Sequence, residues 1–361
     1  MPNNKAYLIL ADETVYPGHA FGAETDTIGE VVFTTSMSGY QESLTDPGNI
    51  GTILCQTFPS AGNYGLNSLD SESSRVWPAG YVTREWCAHP SNFRSEVNLD
   101  LFLRDHGVPG LAGIDTRSLT RHLRQKGTLV GALVHTLPED LRQFCAGLQK
   151  ERPLRNAVRH VSRKEPTGFP AEGVRKHKVV LYDFGVKNSV IRQLCLRGCE
   201  VVAVPFDYPA DKAAVLSPDG LLLSNGPGDA EELSALFGNI QKLTTFGLPL
   251  FGIDLGHQLL ALALGAKSEK LPFGHHGENQ PVTDLQRGRT YITSQGHSHS
   301  VLAESIRAGQ VSHLNANDGS VEGIRYPALS AFSVQFHAEA CAGPEDTLFL
   351  FDDFIQMMEN R

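Results

Sequence analysis

Pro249-Leu-Phe-Gly-Ile-Asp-Leu-Gly-His-Gln-Leu-Leu-Ala-Leu-Ala-Leu-Gly265 is the stretch on which the fold turns. An apolar run bends sharply through Gly252-Ile-Asp-Leu-Gly256 into an apolar helix, the pattern of a nucleophile elbow. In such an elbow a strand ends and one residue is held strained at the tip with its side chain exposed. The backbone N–H groups that follow point at the same spot. The tip residue here is Asp254, where the chemistry of an elbow calls for Ser or Cys.

Upstream of the elbow the same grammar repeats. Residues 179–183, 200–205, 220–225 and 248–253 read as buried strands, and 190–197 and 233–246 as the helices between them. Strands alternating with helices predict a parallel sheet covered on both faces, with the site at the carboxyl ends of the strands. The elbow and the turn Gly226-Pro-Gly-Asp229 both fall at such ends; the turn lacks the Lys-Ser/Thr of a phosphate loop. Downstream, Gly274-His-His-Gly277 and the apolar segments around Ile292 and Val311 indicate antiparallel strands. A strand over 331–339 delivers His337 and Glu339 to its end, and 346–358 closes the chain as an amphipathic helix. The adjacent His275 and His276 read as structural.

Towards the N-terminus, 6–18 reads as two short strands around an Asp-Glu turn, with further strands at 31–33, 51–59 and 79–85 and a polar loop over 34–48. Residues 99–107 read as a helix stopped by glycine. The clearest helix spans 113–127, with Thr116 as its cap, Leu119 and Leu123 on one face, and basic residues late, where the helix dipole favours them. From 151 to 177 apolar content falls and prolines and glycines gather, which reads as a linker. The organisation is therefore a β-rich mixed α/β domain over 1–150, a linker over 151–177, and an α/β domain over 178–361.

A chain of 361 residues has room for two domains. Its 41% hydrophobic and 20% charged content excludes a disordered or fibrous chain, and a net charge of -9 argues against a nucleic-acid partner. No apolar segment reaches the roughly 20 residues of a membrane span. The opening Met1-Pro-Asn-Asn-Lys5 is unlike a signal peptide, so a cytoplasmic chain is expected. Six cysteines form no C-x-x-C pair, and none occupies the elbow. They read as reduced, mostly buried thiols.

Taken together, Ser224-Asn-Gly-Pro-Gly-Asp229, Phe251-Gly-Ile-Asp-Leu-Gly-His-Gln258, Phe273-Gly-His-His-Gly277 and Gln335-Phe-His-Ala-Glu339 resemble a class I, triad-type glutamine amidotransferase domain. Gly29-Glu-Val-Val-Phe-Thr-Thr-Ser-Met-Ser-Gly-Tyr-Gln-Glu42, Pro90-Ser-Asn-Phe-Arg94 and Gly113-Ile-Asp-Thr-Arg117 are similar to the small subunit of carbamoyl phosphate synthetase. The resemblance spans essentially the whole chain. It implies a subunit that hydrolyses glutamine and passes ammonia to a large, ATP-dependent subunit, for arginine or pyrimidine synthesis. In that chemistry a thiolate attacks the amide, a His moves the proton, a Glu orients the His, and backbone N–H groups hold the oxyanion.

By the resemblance, His337 is the base, Glu339 its orienter, and Gly226, Gly228, Leu255 and Gln258 lie at oxyanion and substrate-contact positions. Asp254 stands where the family carries its nucleophilic Cys. A carboxylate is ionised at neutral pH, yet it attacks an amide poorly. Gly296-His-Ser-His299 replaces the family's Asn-His-Gly-aromatic, and Gly48 its Ser, so at Gly48, Gly296, Ser298 and His299 the pocket loses polar partners for glutamine. The chain is accordingly expected to dock on a large subunit while its own glutaminase step is absent or very weak. Asp254 is expected to cap the following helix or to pair with protonated His337. Two alternatives stay open: glutamine hydrolysis by a non-standard route, and a metal site built from Asp254, His297, His299 and His337. No cofactor is expected in this chain; ATP and magnesium would belong to the large subunit.

Overall fold

Val179, Leu181, Leu222, Phe251 and Ile253 fill a core on one face of a sheet, while Val180, Tyr182, Leu221, Leu223 and Leu250 fill a second core on the other. Strand side chains alternate between faces, so these continuous apolar runs demand cover on both. Helices Asn188–Leu196 and Phe349–Glu359 supply it on the first face. Ala210–Val215, Phe237–Thr244 and Leu255–Ala263 supply it on the second. The computed structural model in which this is seen describes residues 4–151 and 154–360. Contacts divide the chain into two units, Met1–Arg155 and Asn156–Arg361.

In the second unit the parallel strands run in the order Cys199–Pro205, His177–Asp183, Gly220–Leu223, Leu250–Ile253, Ala331–Val334. The sheet then continues antiparallel through Val321–Tyr326, Arg289–Val301, Ser268–Asp284 and Gln310–Asn315. A further pairing of Gln310–Asn315 with Val321–Tyr326 folds these last strands back on themselves. The architecture expected from the resemblance, a helix-flanked sheet, is present, but only the five strands from Cys199–Pro205 to Ala331–Val334 run parallel and the other half is antiparallel. The long hairpin extends the expected antiparallel return, and Gly296-His-Ser-His299 lies inside a strand.

In the first unit, among the described residues, seven strands close a barrel: Lys5–Leu10, Val15–Gly22, Pro109–Ala112, Gly80–Val82, Thr52–Gln56, Thr27–Thr34 and Leu129–Val134. Alternate residues Leu8 and Leu10, Val31 and Phe33, and Ile53 and Cys55 share one core with Leu119 and Leu123 of helix Thr116–Lys126. The cap of that helix is Asp115, whose carboxylate accepts from Ser118 N at 2.9 Å; Thr116, expected to cap, is the first helical residue. The stretch 34–48, expected as a loop, carries the short helix Tyr40–Thr45 because Tyr40 and Leu44 anchor it in a core.

Two further expectations change. Residues 233–246 split into the 3-10 segment Ala230–Leu236, itself kinked at the non-helical Leu233, and the α-helix Phe237–Thr244. The stretch 151–177, expected as a linker, holds structure from Asn156 onwards; residues 152 and 153 lie outside the described residues. Val158 is buried in the sheet's core, strand Thr167–Phe169 pairs with Cys199–Pro205, and Arg163 Nε donates to Asp183 at 2.8 Å. An edge strand and a half-sheltered ion pair give a polar segment partners that its composition does not reveal. All six cysteines are free thiols, and among the described residues no helix is long and apolar enough to cross a membrane.

Candidate active site

The elbow forms where strand Leu250–Ile253 meets helix Leu255–Ala263. All nine residues of that helix are buried, which explains why its sequence is apolar on every side. Close packing is enforced at Gly256, where a Cβ would come within 2.2 Å of the Leu223 carbonyl oxygen. Asp254 takes φ 52°, ψ -109° at the tip. Backbone of that kind costs on the order of 1–3 kcal/mol and persists only where surrounding structure imposes it. Here Asp254 N is tied to the Val334 carbonyl at 2.8 Å, and Gly256 N to that of Ser224 at 3.0 Å.

Of the two roles expected for it, the Asp254 carboxylate makes no capping hydrogen bond to its helix, but its charge does act on His337. The carboxylate is turned across the carboxyl ends of the strands. Gln335 Nε2 donates to Asp254 Oδ1 at 3.0 Å, and the Gly226 N–H faces Oδ2 at 3.5 Å. The Gln335 amide in turn accepts from Gln258 Nε2 at 3.0 Å, and that nitrogen also lies 3.3 Å from the His299 carbonyl. Asp254, Gln335 and Gln258 thus form one buried chain of contacts.

Just beyond strand Ala331–Val334, His337 N donates to the Ser294 carbonyl at 2.9 Å, which fixes the histidine beside the long hairpin. His337 Nδ1 stands 3.3 Å from Glu339 Oε1, and both residues are buried. Lys187 Nζ reaches the same Oε1 at 2.9 Å and also donates to the Cys341 carbonyl. Burial opposes ionisation of Glu339, but Lys187 and His337 outweigh it and hold the carboxyl well below its usual range. For His337, burial and Lys187 oppose protonation; Glu339 and Asp254 outweigh them, and its pKa is raised. Among two carboxylates and one ammonium, the imidazole therefore holds its proton to higher pH than an ordinary histidine.

The structure brings Asp254, His337, Glu339, Gly226, Gln258 and Gly296 together; a Cβ on Gly296 would lie 3.3 Å from His337 Nε2. Leu255 follows Asp254 directly, and Gly228, at φ 95°, shapes the turn after strand Gly220–Leu223. Ser298 Oγ lies 3.5 Å from His276 Nε2, and His299 Nε2 lies 3.6 Å from Asp229 Oδ2. Gly48 belongs to the first unit, in the 3-10 turn Pro47–Asn49, its N–H donating to Asp46 Oδ1 at 2.8 Å. Lys187 and Gln335 were not singled out from sequence as site residues. The available signal was position: Lys187 follows strand His177–Asp183, and Gln335 follows Ala331–Val334, both at carboxyl ends of parallel strands.

The metal site imagined from Asp254, His297, His299 and His337 does not assemble. His297 turns away to stack edge-on against His275, with ring centres 5.0 Å apart, while His299 points to Asp229. Among the described residues, the grouping with metal-ligand spacing is His275, His297 and Glu322. His275, expected to be structural, thus also belongs to a cluster of titratable groups.

Comparisons with known proteins agree along the whole length. Residues 8–133 match the family described as carbamoyl-phosphate synthase small chain, CPSase domain, and 180–357 match glutamine amidotransferase class-I. The chain is 47% identical over 358 residues to the carbamoyl phosphate synthase small chain of Bacillus cereus, covering 99% of this chain and 96% of that protein. It is 47% identical over 360 residues to the protein of the same name from Fusobacterium nucleatum, covering 98% of each.

Proposed function

This chain belongs to the carbamoyl-phosphate synthase small-chain family, and from that premise we propose that it serves as the small subunit of a synthetase complex whose own glutaminase step is absent or very weak. Its partner is the large, ATP-dependent subunit, which then works from free ammonia. The observation that carries this reading is the Asp254 carboxylate at the elbow tip, bonded by Gln335 and faced by the Gly226 N–H. A nucleophile has to be free to attack and has to find its oxyanion donors open. Here the carboxylate is engaged and one candidate donor is turned on it. The raised pKa of His337 adds to this, because it keeps the proton on the imidazole to higher pH and leaves less of the base form.

An assay of the purified complex with glutamine and, separately, with ammonium tests the proposal. Carbamoyl phosphate formed from ammonium without glutamine turnover is expected. Glutamine turnover at about 1 per second or faster, lost in Asp254→Asn, would overturn it. Restoring the thiol with Asp254→Cys is expected to leave turnover weak, because Gly296 and His299 still deny glutamine polar partners.

A further inference from the structure

Three strands in the antiparallel half of the second unit's sheet bring His275, His297 and Glu322 together. All three are buried, and one ligand atom of each lies within 4.8 Å of the other two. We propose that this cluster is a binding site for a divalent transition cation of the zinc class, with the side-chain oxygen of Gln295 completing the set.

Each imidazole already has its outer nitrogen committed. His275 Nε2 donates to Asp318 Oδ2 at 2.8 Å, and His297 Nδ1 donates to the His299 carbonyl at 2.9 Å. A carboxylate or carbonyl in that position fixes the tautomer and turns the other nitrogen's lone pair inward, as it does for metal-bound histidines. His275 Nδ1 then stands 3.3 Å from Glu322 Oε1, and His297 Nε2 stands 3.9 Å from it. Ligands on a tetrahedral zinc, with bonds of about 2.0–2.1 Å, lie roughly 3.3 Å apart. A small inward movement of the His297 ring meets that requirement.

The fourth ligand follows from a chain of donors. Thr293 Oγ1 donates to the Gln280 carbonyl at 3.0 Å and so accepts from the Gln295 amide nitrogen at 3.1 Å. The amide is thereby oriented, and Gln295 Oε1 faces His297 Nε2 at 3.1 Å. Two lone pairs directed at one place are stabilised by a shared cation.

Charge points the same way. Glu322 Oε1 accepts from Asn315 Nδ2 at 3.1 Å, but Oε2 has no hydrogen-bond partner among the described residues. Glu322 and Asp318 bring two negative charges, and their ion-pair partners among the described residues are histidines. A divalent cation bound with both imidazoles deprotonated to their neutral form would balance the two carboxylates. Two nitrogens, a carboxylate and an amide oxygen suit zinc, whereas calcium needs six to eight oxygens. Such an ion would clamp the strand that carries Gly296-His-Ser-His299 to its neighbours.

The test uses the full chain, stripped with a chelator, re-equilibrated with zinc chloride alone and freed of excess metal. One zinc per chain by elemental analysis is expected, with a higher Tm than the stripped protein. Glu322→Gln should weaken zinc binding by at least about 10-fold in a chelator competition, and Asp318→Asn, which touches no metal, by about 10–100-fold. Asp318 is half-exposed, so that variant stays informative if Glu322→Gln fails to fold. No stoichiometric zinc on the unmodified chain would overturn the proposal. So would zinc held at unchanged affinity in both variants, since that zinc would sit elsewhere.

Discussion

Two histidine–carboxylate clusters occupy the sheet of the second unit, and they are balanced differently. At the elbow, Asp254 and Glu339 are faced by His337 and by the buried ammonium of Lys187. In the hairpin, Glu322 and Asp318 are faced by His275 and His297 with no lysine among their ion-pair partners in the described residues. The elbow can thus neutralise its carboxylates with two cations of its own. A single buried amine decides whether such a cluster is closed or calls for a cation from outside.

Removing the elbow's balance should have the largest effect. Glu339→Ala leaves Lys187 buried against an apolar gap, and unfolding by urea should show a loss of about 3–5 kcal/mol. Replacing both partners, as Lys187→Met with Glu339→Leu, should cost less than Glu339→Ala alone. A double variant at least as unstable as the single one would break the charge-balance account.

Acidity separates the clusters further at one residue of each: the pKa of His337 is raised and that of His297 lowered, while that of His275, opposed by burial but drawn up by Glu322 and Asp318, is raised as well. His337 has a raised pKa, so its stabilisation is full below 6.5 and is lost as pH rises through the higher folded value. Glu339 is lowered, so its share is present above 4.5 and is lost as pH falls towards the lower folded value. Tm should therefore hold a plateau from the elbow between those limits, and His337→Gln should remove the decline on the alkaline side. His297 is lowered, chiefly by burial and then by His275, so protonation below 6.5 favours the unfolded chain. In metal-free protein, His297→Gln should soften the loss of Tm on the acid side; an unchanged acid limb would count against a neutral His297.

The smallest effect is expected from Asp254→Asn. It removes one of the two carboxylates that raise His337, so the alkaline decline should move to lower pH without disappearing. An alkaline limb that stays in place would mean that Glu339 alone sets the charge of His337.

Much of this was legible in the sequence because it is local. Period-two alternation in Leu8 and Leu10 or Val31 and Phe33, apolar runs such as 179–182, and the Gly252 to Gly256 turn each specify structure within a few residues. The elbow itself, its Asp254 and the family followed from these and from short motifs. Tertiary structure alone decided which charges meet. Lys187 and Glu339 are 152 positions apart, Asp254 and Gln335 are 81 apart, and His275, His297 and Glu322 come from three strands. Burial makes those pairings matter, since a charge out of water must find its partner wherever the chain brings one. No local pattern records that partner, so of the two roles expected for Asp254 the helix cap is not taken up, its charge acts on His337, and the bond to Gln335 was not foreseen.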